Sequence, residues 1–600
     1  MIRAIAAPLP FALLSGVLLP GLAFALPFFT EATPQLGAQA CQGGGCYSNA
    51  VVMADLDGDG QLDLVFANGG GYYTKAKAEP LALYLGDGKG GFIEKHLKVL
   101  GGFQGRLRQV AVGDVDGDGD LDLVAPDSWG LQPDALFLNE GPGLPMTEAG
   151  AVRLGTSSRA GAARLGDLDG DGDLDLVLAD WGAKPPKVAA TILVFVNDGK
   201  GFFTEKADTP VQGKDGTGPI DLDLADLDGD FDLDVLVASR EGESLFFRND
   251  GKGNLTDAGA DLPDQLGPYV YGPDACDIDG DGDLDLWLDN GGPDLREQLL
   301  RNDGGGQFTD VSAAQIQGNE KADDNEVQCV DLDDDGDLDA VVASLSGNER
   351  LLLNDGKGFF TAVSGAFPKV GDATLGLDLG DVDGDGRLDA VTAQGEFGAF
   401  TDRLYLGLPA QPTDSHAPVI RQIETPTGPL PAGDHALRFA VWDRTTTDVG
   451  PRLKQAWVEL SGTSAIFPAR FLGGDLFRAV LPLAAGTSVG VRACAQDRVG
   501  LVGCSAVVTL VVAAAGADAG ADSAADAGAT ADAATSPDAA ADSATGLADA
   551  VAPADAGAVP SPPAATDDGC GAARKAHGLA VLLAASLGLA AVFSRRRLSP

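Results

Sequence analysis

DLDGDGDLDLVLA, residues 167–179, places an aspartate at every odd position of nine residues and then turns apolar. Carboxylates crowded into so tight a turn repel one another unless a cation sits among them. The nine-residue pattern starts again at Asp55, Asp114, Asp226, Asp277, Asp331 and Asp381, at a pitch of 50 to 59 residues. The seven copies read DLDGDGQLD, DVDGDGDLD, DLDGDGDLD, DLDGDFDLD, DIDGDGDLD, DLDDDGDLD and DVDGDGRLD, with aspartate at positions one, three, five and nine in every one.

Hard cations such as calcium take about six to eight oxygens, a demand that three inward carboxylates, a fourth from position nine and a backbone carbonyl from position seven go far to meet. The expected ligands are Asp55, Asp57, Asp59, Gln61 and Asp63 in the first copy and Asp114, Asp116, Asp118, Asp120 and Asp122 in the second. The third supplies Asp167, Asp169, Asp171, Asp173 and Asp175, and the fourth Asp226, Asp228, Asp230, Asp232 and Asp234. The fifth supplies Asp277, Asp279, Asp281, Asp283 and Asp285, and the sixth Asp331, Asp333, Asp335, Asp337 and Asp339. The seventh supplies Asp381, Asp383, Asp385, Arg387 and Asp389, so up to seven calcium ions are expected. Gln61 and Arg387 at position seven fit a residue that offers only its carbonyl.

Glycine at position six accepts the positive φ of a sharp turn. Phe231 stands there in the fourth copy, so that loop is expected to bend differently or bind more weakly; Asp334, at position four of the sixth, is the other departure. An EF-hand would need glutamate at position twelve, where this chain has Phe66, Ala125 or Leu178 inside apolar runs. Nonapeptide toxin repeats recur in immediate tandem, whereas these lie tens of residues apart.

Each loop leads into a short apolar stretch such as LDLVFA or LDAVVA, the pattern of a buried strand. A second signature follows, as in VNDGKGFF from 196, RNDGKGNL from 248 and LNDGKGFF from 353; Asn-Asp-Gly between apolar runs marks a hairpin. Each repeat thus amounts to about four antiparallel strands, and seven such units predict an all-β, seven-bladed propeller. The seventh repeat stops at Leu408-Pro409 without its hairpin and last strand. The missing strand should resemble GFFTE at 201, and PFFTE begins at Pro27. Residues 26–37 are therefore expected to complete the last blade and close the ring, removing its exposed edges.

The DxDxDGxxD loop joined to the NDGxGxF hairpin, over residues 26–407, resembles the FG-GAP or VCBS repeats of integrin α-subunit propellers and many bacterial surface proteins. That resemblance implies a propeller, here residues 26–412, with calcium ligands at the positions named.

If the acidic loop joins the first and second strands of a blade, the loop after the second strand lies on the opposite face. Tyr72, Tyr73, Trp129, Trp181 and Phe397 would then share one rim. Aromatic rings beside Asp and Asn suit a carbohydrate or protein ligand, or else plug gaps between blades.

Outside the repeats, residues 1–25 read as an export signal, with Arg3, an apolar stretch and a small-x-small site ending at Ala25; an uncleaved anchor is the alternative. Residues 413–513 supply short strands resembling an immunoglobulin or fibronectin type III sandwich, a class that usually serves as a spacer, with Trp442 and Trp457 in its core. Residues 514–569 are a simple Ala/Asp-rich tether. Residues 570–600 carry Cys570, an apolar run and Arg595, Arg596 and Arg597, and resemble the MYXO-CTERM sorting tail of myxobacterial surface proteins. The resemblance implies processing near Cys570 and delivery to the cell surface; the alternative is a plain membrane anchor.

Seven cysteines in an exported chain suggest three disulfides and one left over. Cys41 with Cys46 and Cys494 with Cys504 are the first expected pairs, while Cys276 and Cys329 join neighbouring repeats or stay as buried thiols. A net charge of −48 argues against nucleic acid and anionic membrane surfaces as partners. The four histidines are scattered, and no HExxH or GxSxG is present. The expectation is a calcium-binding, non-enzymatic protein of a Gram-negative cell surface, used in adhesion or in recognition of a glycan or protein ligand, with membrane contact through the C-terminal tail. A polysaccharide-degrading enzyme or a purely structural envelope protein is the alternative.

Overall fold

The structure, a computed structural model, describes residues 27–514 apart from 42–44, 70–76, 142–144, 182–190, 208–217, 241, 264–268, 293, 396–399 and 446–448. The proposed signal, the Ala/Asp-rich tether, the C-terminal tail with Cys570, and Tyr72, Tyr73 and Phe397 lie outside the described residues. No described helix is long and apolar enough to cross a membrane.

The repeats form seven sheets, antiparallel except that Ile316–Gln317 pairs parallel with Phe360–Val363 at the edge of the sixth. In the third, Ala160–Gly166, Asp175–Asp180, Thr191–Asn197 and Phe203–Glu205 pair in chain order, and the acidic loop joins the first strand to the second. The second strands are buried on both faces because alternate side chains enter different cores. Val65 and Ala67 pack into the cluster shared with the second blade, whereas Leu64 and Phe66 enter the one shared with the seventh. Every neighbouring pair of blades shares one such cluster, including the pair formed by the seventh and the first. The ring is closed.

Closure uses the N-terminal strand. Phe29–Glu31 pairs antiparallel with Arg403–Gly407, Phe29 opposite Gly407 and Glu31 opposite Tyr405. Phe29, 1% exposed, stacks on Phe367 with ring centroids 4.2 Å apart, and Arg403 pairs with Glu31 at 2.8 Å. The strand thus takes the position that Phe203–Glu205 holds in the third blade.

The innermost strands carry polar groups that fasten one blade to the next. Asp223 accepts from the backbone N–H of Ala275 at 3.2 Å, Asp274 from Cys329 at 2.6 Å, Glu326 from Leu377 at 2.9 Å and Asp378 from Met53 at 2.7 Å. Cys276 and Cys329 form a disulfide between the fifth and sixth blades, and Cys41–Cys46 and Cys494–Cys504 are also bonded.

Residues 413–513 form one continuous eight-stranded sheet around a core that includes Leu437, Phe439, Val458 and Val491. This domain is no spacer. Its Leu472, Leu476 and Ala440 join the cluster between the third and fourth blades, and Trp442 packs against the one between the fifth and sixth. Trp442 therefore belongs to the contact between domains rather than to the core of its own; Trp457 is half-buried, its Nε1 donating to Glu459 at 3.0 Å.

Replacing the closure ring by Phe29→Ala should cost about 3–5 kcal/mol, the range for a buried phenylalanine, and deleting residues 26–37 should lower the melting temperature further. A calorimetric scan matching the unmodified protein for either variant would contradict closure by this strand.

Candidate functional site

The seven acidic loops lie on one face of the ring, each built by the same hydrogen bonds. The position-nine aspartate carries most of the design. One of its oxygens accepts from the N–H of residue two, at 2.9–3.2 Å in all seven loops. The other accepts from the backbone where the third strand meets its hairpin, at 2.7–2.9 Å. A residue read from the sequence as a metal ligand is thus also the clasp that ties the turn to its sheet. Position one accepts the N–H of position six in six loops, for example Gly60 to Asp55 at 2.9 Å.

The hairpin asparagine has a second role that its turn propensity hid. Nδ2 of Asn139, Asn197, Asn249, Asn302 and Asn354 reaches back to the residue-two carbonyl of the preceding blade's loop, at 2.7–2.9 Å. The hairpin glycine is held at positive φ, 69° in Gly199, 65° in Gly251 and 70° in Gly356, and sits close against the acidic loop. A Cβ on Gly199, Gly251 or Gly356 would fall 2.2–2.4 Å from the position-seven carboxylate of Asp173, Asp232 or Asp337. Position-seven side chains therefore turn toward the hairpin. Arg387 donates from Nε to the Gln411 carbonyl at 3.1 Å and from Nη1 to the position-five carboxylate of Asp385 at 2.6 Å.

The geometry suits a hard cation. Ligand oxygens of Asp55, Asp57 and Asp63 lie within 4.8 Å of one another, as do those of Asp114, Asp116 and Asp122, of Asp167, Asp169 and Asp175, and of Asp226, Asp228 and Asp230. Oδ1 of Asp55, Asp116, Asp228, Asp279 and Asp333 is buried without a hydrogen-bond partner, which leaves it open to a water or a cation. Burial, the largest cause, pushes the position-nine carboxyls up to about 7 in Asp63, Asp122 and Asp175 and about 8 in Asp234, Asp285 and Asp389.

Both departures from the loop pattern are explained by the second domain. Phe231 adopts φ 67°, the same left-handed turn as the glycines, so the fourth loop does not bend differently. Its ring packs against the cluster that Leu472 and Leu476 enter, with the Arg438 guanidinium 5.9 Å from the ring centroid. Arg438 also donates to the Phe231 carbonyl at 2.8 Å and pairs with Asp232. Asp334, at φ 54°, accepts from Ser415 Oγ at 2.5 Å and from His416 Nδ1 at 3.2 Å, pinning the segment that enters the second domain. The fourth loop is further distinguished by Arg248, whose Nη1 lies 2.5 Å from Asp228.

On the opposite face the second strands end near Trp129 and Trp181. The two come from neighbouring blades, and Trp181 Nε1 donates to the Ser128 carbonyl at 2.8 Å with the Arg108 guanidinium 5.6 Å from its ring centroid. Both rings are half-buried.

An FG-GAP-like repeat family model matches residues 55–125, 226–288 and 331–392, spans that open on the first aspartate of the first, fourth and sixth loops. Among solved structures, the full extracellular region of plexin A4 is similar over 81% of this chain and 67% of its own, at 9% identity and a TM-score of 0.34, too distant to inform function. No curated protein matches the chain.

Position-nine carboxyls raised to about 7–8 make the folded, metal-free protein hold more protons than the unfolded chain above about pH 4. Their stabilising effect is complete below the unfolded pKa and is lost as pH rises through 7–8. In chelator, the melting temperature is expected to fall between pH 5 and 8, and saturating calcium should remove most of that slope; a flat profile in chelator would contradict the assignment. The chain thus carries FG-GAP-like repeats, matched over three spans, within a seven-bladed β-propeller.

Proposed function

We propose that this is an exported, non-catalytic protein of the cell surface whose calcium-loaded propeller presents its aromatic rim to a glycan or protein ligand. An FG-GAP propeller fits a surface recognition role. The observation that carries the proposal is the division of faces. The acidic loops are covered by the chain's own second domain, while Trp129 and Trp181 meet on the other side. A half-buried indole held by a hydrogen bond and flanked by a guanidinium is a rigid platform for a sugar ring or an apolar side chain.

Calcium serves the scaffold. At about millimolar calcium, sites with a Kd of about 10⁻⁴–10⁻³ M, as in extracellular modules, would each add about 0.4–1.4 kcal/mol. Seven would together rival the stability of a whole domain. The fourth loop, with Arg248 on Asp228, is proposed to bind most weakly, because that position-three carboxylate already has a counter-charge. Three disulfides support an oxidising, extracellular setting, and the tail from Cys570 is proposed to deliver the protein to a Gram-negative envelope.

Calcium-loaded residues 26–513 are expected to bind saturably to a member of a glycan panel or to isolated envelope material, with binding lost by at least tenfold in Trp129→Ala/Trp181→Ala. Absence of binding by protein shown to be folded, or full binding by the double variant, would overturn the rim assignment.

A further inference from the structure

The second domain grips the acidic loops chiefly by their backbone, with Arg498 also 4.0 Å from Asp55 and Arg438 paired with Asp232. Arg498 donates to the carbonyl of Gly60 at 3.2 Å, Arg438 to Phe231 at 2.8 Å, and Arg421 and Gln422 to Gly282 at 2.7 and 3.0 Å. The N–H of Asp414 donates to the Gly386 carbonyl at 2.7 Å. All four carbonyls belong to position six, in the first, fourth, fifth and seventh loops. The other loops are held nearby: Asp167 donates its N–H to the Leu472 carbonyl at 2.7 Å, Asp331 donates its N–H to the Arg444 carbonyl at 3.0 Å and its own carbonyl accepts from Arg444 Nε at 3.1 Å, and Arg470 lies 3.4 Å from Asp173.

Position six is the apex of the turn. In four of the five glycine loops whose residue-one carboxylate accepts its N–H, its φ is 89–98°, and in the other it is 83°. Its carbonyl therefore points outward only while the turn stays closed around positions one, three, five and nine. Arg421, 3% exposed and paired with Asp475 at 2.9 Å, has no freedom to follow a loop that opens. The anchors are rigid and their targets depend on loop shape.

We propose that residues 413–513 are a cation-responsive cap: closing the loops around their ions and seating this domain on the propeller are one linked equilibrium. This rests on the reading that the loops hold calcium. Two effects oppose each other in that linkage. Bound calcium weakens the Coulomb attraction between arginine and loop, whereas the closed turn supplies the carbonyls that the arginines need. Most of the contacts go to carbonyls, and a loop retains net negative charge after taking one divalent ion, so shape prevails. By reciprocity, a seated cap raises the affinity of the loops for calcium by the same factor.

Hydrogen exchange on the full chain, read by mass spectrometry beside a direct count of bound calcium, tests this. Chelation is expected to speed exchange at least tenfold both in the loops and in the cap strands Val419–Ile423 and Leu476–Leu483. Arg421→Ala/Arg438→Ala, which removes no metal ligand, should speed exchange in those cap strands with calcium present and weaken calcium binding several-fold. Loop exchange that responds to chelation while the cap strands do not would overturn the linkage, as would unchanged calcium affinity in the double variant. A chain that binds no calcium would remove both this proposal and the metal reading beneath it.

Discussion

The structure depends on one buried carboxylate per blade. The position-nine aspartate has both oxygens on backbone N–H groups, one from the start of its own loop and one from the edge of the third strand. With 0–1% of its surface exposed, it cannot be hydrated. Backbone donors and a proton or cation must balance its charge. The same side chain that organises the sheet therefore sets the charge that each acidic turn must balance. The hairpin asparagine extends the clasp to the preceding blade's loop, so the hydrogen bonds run from blade to blade.

Two irregularities that weaken an isolated loop strengthen the whole. A phenylalanine held in the left-handed region costs roughly 1–2 kcal/mol. Burial of the Phe231 ring beneath the second domain, with the Arg438 guanidinium over its face, offsets that cost. Asp334 exchanges the freedom of glycine for a hydrogen-bonded pin on Ser415 and His416. Neither departure opens its turn, since both residues take the left-handed backbone that glycine would.

Much of this was legible in the residues. Repeat number, strand order, the turn positions and ring closure by Phe29–Glu31 follow from local pattern, because a nine-residue turn and a four-residue strand each satisfy their backbone within a short window. The Cys41–Cys46 and Cys494–Cys504 pairs were readable for the same reason. The role of residues 413–513 was not. Its eight arginines against eight acidic residues, in a chain of net charge −48, were the available signal, but a near-neutral composition does not say which surface it faces.

The sequence by itself determined the all-β class, the seven acidic turns and the strand that closes the ring, since these depend on spacing along the chain and on backbone preferences. Only the tertiary structure decided that position-nine aspartates clasp the sheets, that Cys276 meets Cys329, and that the second domain covers the acidic loops and leaves Trp129 and Trp181 on the other face. Those outcomes join residues tens to hundreds of positions apart. They are set by which surfaces exclude water together, a quantity that no local window contains.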